Sequence, residues 1–167
     1  MKDPIVVRVG VNNNFNCTDA EFQQLDILSN LHPDHIFFVN SNIKTPNLTA
    51  INDHPYKAVL TLNPDLTVMD NLVNRLYDID SKKIAFVRIK YIPEWPSIID
   101  LIKRVSKTHK VVITNQRFNS KKTIAQFIPD YKKYYEFSCS RYRLKDLSIL
   151  SDIVDHKKVF ICDEKGL

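Results

Sequence analysis

The sequence predicts an α/β fold, a mainly parallel sheet of about six strands within a single domain spanning residues 1–167. Three observations support this. Apolar runs of strand length alternate with stretches of helical periodicity along the whole chain. The intervals between them are short, as in βα units with right-handed crossovers. At 167 residues, 44% hydrophobic and 26% charged, the chain suits one packed core.

The predicted elements of the first half follow from apolar spacing and from capping residues. Thr18 with Glu21 three positions later is a capping box, and Thr67 is placed to cap a further helix. In order, the elements are a strand at Ile5–Val11, a helix with Phe22, Leu25, Ile27, Leu28 and Leu31 on its apolar face, a strand at His35–Asn40, a loop or broken helix over 41–55, a strand at Tyr56–Leu62 and the helix capped by Thr67.

The second half continues the same alternation. Its elements are a strand at Lys83–Tyr91, a helix starting at Pro96 with Ile98, Ile99, Leu101, Ile102 and Val105 on its apolar face, a strand at Lys110–Thr114, a helix over 120–136 interrupted near Pro129, a helix at Leu144–Val154 and a strand at Val159–Cys162. Such strands can form a partial (β/α) barrel or an open doubly wound sheet. Both arrangements remain open at this point.

Composition excludes several classes of protein. Gly10 and Gly166 are the only glycines, so glycine-rich phosphate loops are absent. No apolar run reaches membrane-spanning length, and the N-terminus MKDPIVVRVG lacks the apolar segment of a signal peptide. The three cysteines form no CxxC pair, which favours a reducing interior and a cytoplasmic location. We therefore expect no membrane partner.

A ligand site is expected where the parallel strands end, because ligands bind at that edge in both architectures. The edge is rich in amides and poor in general bases. Such amides either hold a ligand by hydrogen bonds or satisfy the backbone of tight turns, and both interpretations remain open. The candidate ligand-binding amides are Asn12, Asn14, Asn63 and Asn115.

Cations inside the strand patterns give a sharper hypothesis. Arg8 lies in the first strand, Arg88 and Lys90 share one face of the fourth, and Arg117 follows the fifth. If these side chains converge, they form a pocket suited to phosphate or carboxylate, because guanidinium offers two parallel donors. Alternatively, each cation pairs with a nearby carboxylate or extends to the rim.

Charge is distributed unevenly along the chain. Residues 1–81 have a net charge of −5, residues 82–145 of +12, and residues 146–167 of −2. Within the basic part, YKKYYEFSCSRYRLK at 131–145 interleaves cations with aromatic rings, as single-stranded nucleic acid binding requires. The alternative is an amphipathic helix with buried tyrosines and solvated lysines. The candidate nucleic-acid-binding residues are Lys132, Lys133, Tyr135, Arg141 and Arg143.

Metal binding is not predicted. His32 and His35 are three residues apart, but Pro33 breaks any helix between them. Cys17, Cys139 and Cys162 are far apart in sequence, and buried free thiols explain them more simply.

Parts of the chain resemble small phage and bacterial proteins related to the radical-SAM superfamily. The phrases concerned are VITNQRF at 112–118, YEFSC at 135–139 and VFICDEKG at 159–166. The resemblance implies a partial (β/α) barrel with its site at the strand carboxyl ends. Active members hold a [4Fe–4S] cluster on a CxxxCxxC loop after the first strand. Here that loop is VGVNNNFNCTD with Cys17 alone, so neither cluster nor cofactor is expected.

In relatives of this kind a cysteine-rich knuckle can follow the CDEKG phrase. This chain ends at Leu167, so we expect either a truncated product or a member without the knuckle. The first functional hypothesis is a non-catalytic domain that binds an anionic small molecule or nucleic acid, and the resemblance implies that it is phage-encoded. The alternatives are an enzyme on a small phosphorylated or nucleotide substrate, with Glu94, Asp163 or Glu164 as acid or base, and a radical-SAM-related protein without its cluster-binding part.

Overall fold

The structure is a computed structural model, and it describes residues 4–10, 14–63, 73–93, 98–138, 141–145 and 159–161. Its strands are β1 (Val6–Val9), β2 (Ile36–Asn42), β3 (Lys57–Leu62), β4 (Ile84–Tyr91), β5 (Val111–Asn115), β6 (Tyr135–Ser138), β7 (Arg141–Leu144) and β8 (Val159–Ile161). Its α-helices are α1 (Asp19–Leu31), α2 (Ile98–Ser106) and α3 (Lys121–Phe127). Short 3₁₀ helices cover Leu48–Asp53, Arg75–Asp78, Ser81–Lys83 and Tyr131–Lys133.

Six of the strands form one parallel sheet in the order β1-β2-β3-β4-β5-β8. The pairs β1–β2, β2–β3 and β5–β8 are all parallel, with Val7 opposite Phe37 in the first of them. The predicted fold class is therefore confirmed. The remaining strands, β6 and β7, form a separate antiparallel pair.

The strand order distinguishes the two windings that the sequence left open. A doubly wound sheet reverses its strand order at one point. Here the order follows the chain from β1 to β5 without reversal, which is the winding of (β/α) barrels. The order begins at β1 and ends at β8, so the sheet is open and not a closed barrel.

Two compact units divide the chain, Met1–Val87 and Arg88–Leu167. The first contains the fully buried core residues Val39, Ala58 and Leu60. The second buries Val111 and Ile113 of β5, together with the apolar face of α2 that the sequence predicts, at Ile98, Leu101, Ile102 and Val105. The single domain over 1–167 stays a prediction.

The helix after β1 begins where the sequence predicts, and its capping box is confirmed. The Glu21 N–H donates to the Thr18 hydroxyl at 3.3 Å, and the Thr18 N–H donates to the Glu21 carboxylate at 3.1 Å. Phe22 and Leu25 are buried as expected. The prediction is wrong for the other three apolar positions, Ile27, Leu28 and Leu31, which are exposed. Leu28 borders an open groove along the edge strand β1, where the sheet ends.

The region after β5 differs most from the sequence prediction. The helix expected over 120–136 ends at Phe127, and the chain then forms a 3₁₀ turn and the strand β6. Leu144, expected to start a helix, ends β7, and most of that expected helix lies outside the described residues. The helix expected from Thr67 lies outside them up to residue 72, and its described end contains the 3₁₀ helix Arg75–Asp78 with the expected apolar residues Val73, Leu76 and Ile79 buried. Within the described parts of the chain, no helix is both long and apolar enough to span a membrane.

Candidate functional site

The amides at the end of β2 stabilise the loops around them. The Asn40 side chain donates to the Gly10 carbonyl at 3.1 Å, and the Ser41 hydroxyl donates to the Phe15 carbonyl at 2.6 Å. The Asn42 side chain accepts from the Lys44 N–H at 2.9 Å. These contacts match the interpretation in which strand-end amides satisfy turn backbones.

The loop after β1 is described from Asn14 onward, so Asn12 lies outside the described residues. Asn14 is exposed and borders the groove of about 370 Å³ between β1 and α1. Among the described residues, the left-handed backbone positions are Gly10 (φ 85°) and Cys17 (φ 58°), so Asn14 does not take the role of a glycine here. Arg8 is exposed on β1, in the first unit.

Cys17 is held as a neutral thiol. It is 1% exposed, and its sulfur donates to the Phe15 carbonyl and the Ser41 hydroxyl, each at 3.8 Å. Burial raises the pKa of the thiol to about 11, and Glu21 adds to the rise while the Ser41 contact opposes it. The thiolate is the nucleophilic and metal-binding form of cysteine, and burial disfavours that form at Cys17.

A cavity of about 700 Å³ lies beside Cys17, within the first unit. Its charged lining groups are Asp19, at the start of α1, and Asp53, at the end of a 3₁₀ helix. Carboxylates repel anions, so this cavity is unsuited to a phosphate-bearing ligand.

Asn63 directly follows β3 and is half-buried. Among the described residues, its side-chain oxygen has no hydrogen-bond partner although it is buried. Residues 64–72, which follow it, lie outside the described part. Its predicted ligand contact stays a prediction.

Three predicted cations act on one another in the second unit. Arg88 and Lys90 are two residues apart on β4, which places them on the same face, and both are half-buried. Burial lowers the pKa of Lys90, and the positive charges of Arg88 and Arg117 lower it further. Arg117, exposed just beyond β5, is therefore close enough for its charge to reach Lys90.

The ends of β4 and β5 are tied together beside these cations. The Gln116 N–H donates to the Tyr91 carbonyl at 3.2 Å, and the Gln116 side-chain amide donates to the Arg117 carbonyl at 3.1 Å. Asn115, the last residue of β5, is 8% exposed. Among the described residues, neither its buried side-chain oxygen nor that of Gln116 has a hydrogen-bond partner.

The segment 131–145 is a 3₁₀ turn followed by the β6–β7 hairpin, and its tyrosines are divided between core and surface. Tyr131 and Tyr135 are buried in a cluster completed by Ile92, Phe118, Ile124 and Ile128. Tyr135 is 3% exposed, and its ring meets the edge of Phe118 at 5.6 Å. The prediction that Tyr135 stacks on a base needs correcting, because its ring faces are covered by the core.

The cations of this segment remain at the surface. Lys132, Lys133 and Arg141 are exposed. Arg143 lies opposite Glu136 in the hairpin register, and its side chain is outside the described part.

Sequence reasoning counts Phe137 among the rings of segment 131–145 but does not select it as a binding residue, although it is 64% exposed on β6. The signal that could have found it is a two-residue alternation. Aromatic and apolar residues occur at every second position of YEFS (135–138) and of RYRL (141–144), with two residues between the runs. This spacing is typical of a β-hairpin.

The ligand spacing in the sequence predicts no metal site. The His32 and His35 rings stack at 5.2 Å. In the described ranges, no group of three or more His, Cys, Asp or Glu side chains could hold a metal ion. Cys139 and Cys162 lie outside those ranges, so convergence of the three cysteines stays untested.

The candidate site is thus the cation group Arg88, Lys90 and Arg117 with the hairpin that follows it, all in the second unit. Comparison with known proteins adds no family to this description: no family model, no curated protein and no solved structure matches the chain.

Proposed function

We propose that this protein binds an anionic ligand that carries phosphate, a nucleotide or a nucleic acid, through its second unit. The observation that carries the proposal is the grouping of three cations, Arg88, Lys90 and Arg117. The charges of the two arginines lower the pKa of the half-buried Lys90. An anion bound among these cations raises the pKa of Lys90, because a nearby negative charge favours the charged lysine. Guanidinium and ammonium groups are also the usual partners of phosphate in proteins.

The position of the group supports the same proposal. Lys90 and Arg117 lie at the carboxyl ends of β4 and β5, the edge where ligands of sequentially wound parallel sheets bind. Charge supports it as well, because residues 82–145 carry +12 and draw polyanions from a distance.

The experiment measures binding of adenosine triphosphate and of a labelled oligothymidylate of about 12 nucleotides to the full chain. We expect Lys90→Gln and Arg117→Gln each to weaken binding of at least one probe about tenfold, the usual worth of a charge-assisted contact. Binding of the oligonucleotide should also fall steeply between about 50 and about 200 mM salt.

The matched control is Lys110→Gln. Lys110 is exposed and precedes β5, so the substitution removes the same charge at the opposite end of that strand. If Lys90→Gln and Lys110→Gln weaken binding equally, the affinity depends only on the net charge of the protein. That result, or no binding of either probe at low salt, would contradict the proposal.

The alternative hypotheses stay predictions. An enzyme with Glu94, Asp163 or Glu164 as acid or base depends on residues outside the described part. The radical-SAM resemblance depends on Cys17, whose pKa is raised by burial, and on cysteines outside that part. Iron analysis after anaerobic purification tests it.

A further inference from the structure

The β6–β7 hairpin carries buried and exposed aromatic side chains. Tyr135, at its base, is buried, and Phe137, nearer the other end, is exposed. Tyr135 pairs with Leu144 at the base, and Phe137 pairs with Tyr142 towards the tip. Because side chains alternate along a strand, these four lie on one face of the hairpin. The base is anchored in the core cluster, whereas Phe137 is 64% exposed.

Phe137 is in contact with a series of neighbouring aromatic rings. Its ring centroid lies 5.1 Å from that of Tyr142, at an interplanar angle of 58°. The Tyr142 ring in turn meets the buried Tyr131 at 5.5 Å and 89°. A continuous series of aromatic contacts thus connects the exposed ring to the core, which restrains its position. A ring restrained in this way loses little conformational freedom when a ligand stacks on it.

Cations occupy both ends of the hairpin. Lys132, Lys133 and Lys145 are exposed near its base, where the Lys145 ammonium donates to the Lys132 carbonyl at 2.8 Å. Arg141 is exposed at the start of β7, in register with Ser138 near the tip. Glu136 of β6 and Arg141 of β7 both lie on the face opposite Phe137, so the cations closest to the Phe137 face are the lysines near the base of the hairpin.

The hairpin is also joined to the end of β5, beside Arg117. Phe118, the next residue, pairs with Tyr142 through two backbone hydrogen bonds of 2.9 and 3.3 Å. Tyr142 pairs in turn with Phe137. Neighbouring strands lie about 4.8 Å apart, so the backbones of Phe118 and Phe137 are about 10 Å apart. A short length of polynucleotide can span this distance.

We infer that the phosphate-bearing ligand is single-stranded nucleic acid, and that one of its bases stacks on Phe137 while its phosphates contact the surrounding cations. This inference rests on the proposed function of the cation group. Stacking on aromatic rings beside a basic track is how proteins hold single strands without reading their sequence. Bases in a duplex have both faces covered by their neighbours, so a duplex offers phosphates but no free base.

The test measures affinity of the full chain for a labelled oligothymidylate of about 12 nucleotides, for a duplex of similar length, and for heparin, a polyanion without bases. Phe137→Ala should weaken oligothymidylate binding between about fivefold and a hundredfold, the effect of losing one stacked base. Phe137→Tyr, which keeps the ring, should retain binding. Phe137→Ala should leave heparin binding unchanged.

Phe160→Ala is the matched control. Phe160 lies on β8 of the same unit and is 53% exposed, so the change removes an equally accessible ring from another position. Both phenylalanines are largely exposed, so neither change should disturb the core, and circular dichroism and the melting temperature confirm that the variants fold.

The outcomes separate this inference from the proposed function. If Lys90→Gln weakens oligonucleotide binding but Phe137→Ala does not, the anion site stands and base stacking is wrong. If the wild type binds duplex or heparin as tightly as the single strand, the partner is a general polyanion and the inference fails. Binding only to phosphatidylserine vesicles, with Phe137 as a membrane anchor, would overturn it as well.

Discussion

Lys90 combines partial burial with two neighbouring positive charges, and this gives it a distinctive titration. Its pKa is lowered first by burial and then by Arg88 and Arg117. A lysine whose pKa is lower in the folded than in the unfolded protein destabilises the fold while it is charged. This cost applies below its folded pKa and disappears as pH rises towards the unfolded value.

Three results are expected from side-chain NMR of labelled lysines in the full chain. Lys90 should titrate below the ordinary range of lysine, and saturating adenosine triphosphate should raise the pKa of Lys90, because an added anion favours its charged form. Arg117→Gln should raise the pKa of Lys90 even without ligand. A Lys90 that titrates at the ordinary value of lysine in the free protein, in the complex and in the Arg117→Gln variant would contradict the electrostatic description of the site.

Cys17 shows where single-residue reasoning from sequence ends. A left-handed backbone favours glycine or asparagine, so the sequence indicates Asn14 rather than Cys17 for such a position. Among the described residues, Asn14 is not left-handed, whereas Cys17 is, and burial and contact with Ser41 hold it there. The φ angle of Cys17 is determined by tertiary packing, so the residues next to it in the sequence do not predict it.

The first turn of α1 offers a test of local stabilisation. Thr18→Ala removes the hydroxyl that accepts from the Glu21 N–H, leaving a helix donor without its cap. We expect it to lower the free energy of unfolding by about 1 kcal/mol in urea denaturation. Gln23→Ala, a change at an exposed position inside the same helix, should have little effect.

The same turn gives the stability of α1 a defined pH dependence. Burial raises the pKa of Glu21, but hydrogen bonds from Thr18 and Asn16 outweigh it, so the net pKa is lowered. The stabilisation is therefore complete above the unfolded pKa of about 4.3 and is lost as pH falls through the folded value. In Glu21→Gln, the free energy of unfolding measured in urea should fall less steeply below about pH 4.3 than in the wild type. An equally steep fall in the variant would show that Glu21 is not responsible.

Elements were predictable where one periodicity dominates. The strands β1 to β5 and the helices α1 and α2 follow from apolar spacing and from caps such as Thr18. The hairpin was missed because the tyrosines at 131, 134 and 135 suggest helical spacing, while the alternation from 135 to 144 suggests strands. Pairing of β6 with β7, and of Phe118 with Tyr142, decides in favour of the strands. Phe137 acquires its exposed position only through that pairing.

For the molecule as a whole, sequence gives charge and fold class but not strand order. Order depends on contacts between distant segments, and the open sheet β1-β2-β3-β4-β5-β8 is one of several that the same elements allow. The charge distribution, by contrast, is readable directly. Residues 1–81 carry −5 and residues 82–145 carry +12, a change of sign close to the boundary between the two units at Val87 and Arg88. A polyanion is therefore expected to select the second unit.

The most direct test of this account is lysine footprinting of the full chain, in which an amine-reactive reagent modifies lysines with and without saturating oligothymidylate and mass spectrometry locates each modification. We expect the oligonucleotide to protect Lys90, Lys132 and Lys133, and to leave Lys57 on β3 and Lys110 before β5 as reactive as in the free protein. Protection of Lys57 or Lys110 to the same degree as Lys90, or no protection of Lys90 when binding is saturated, would contradict it.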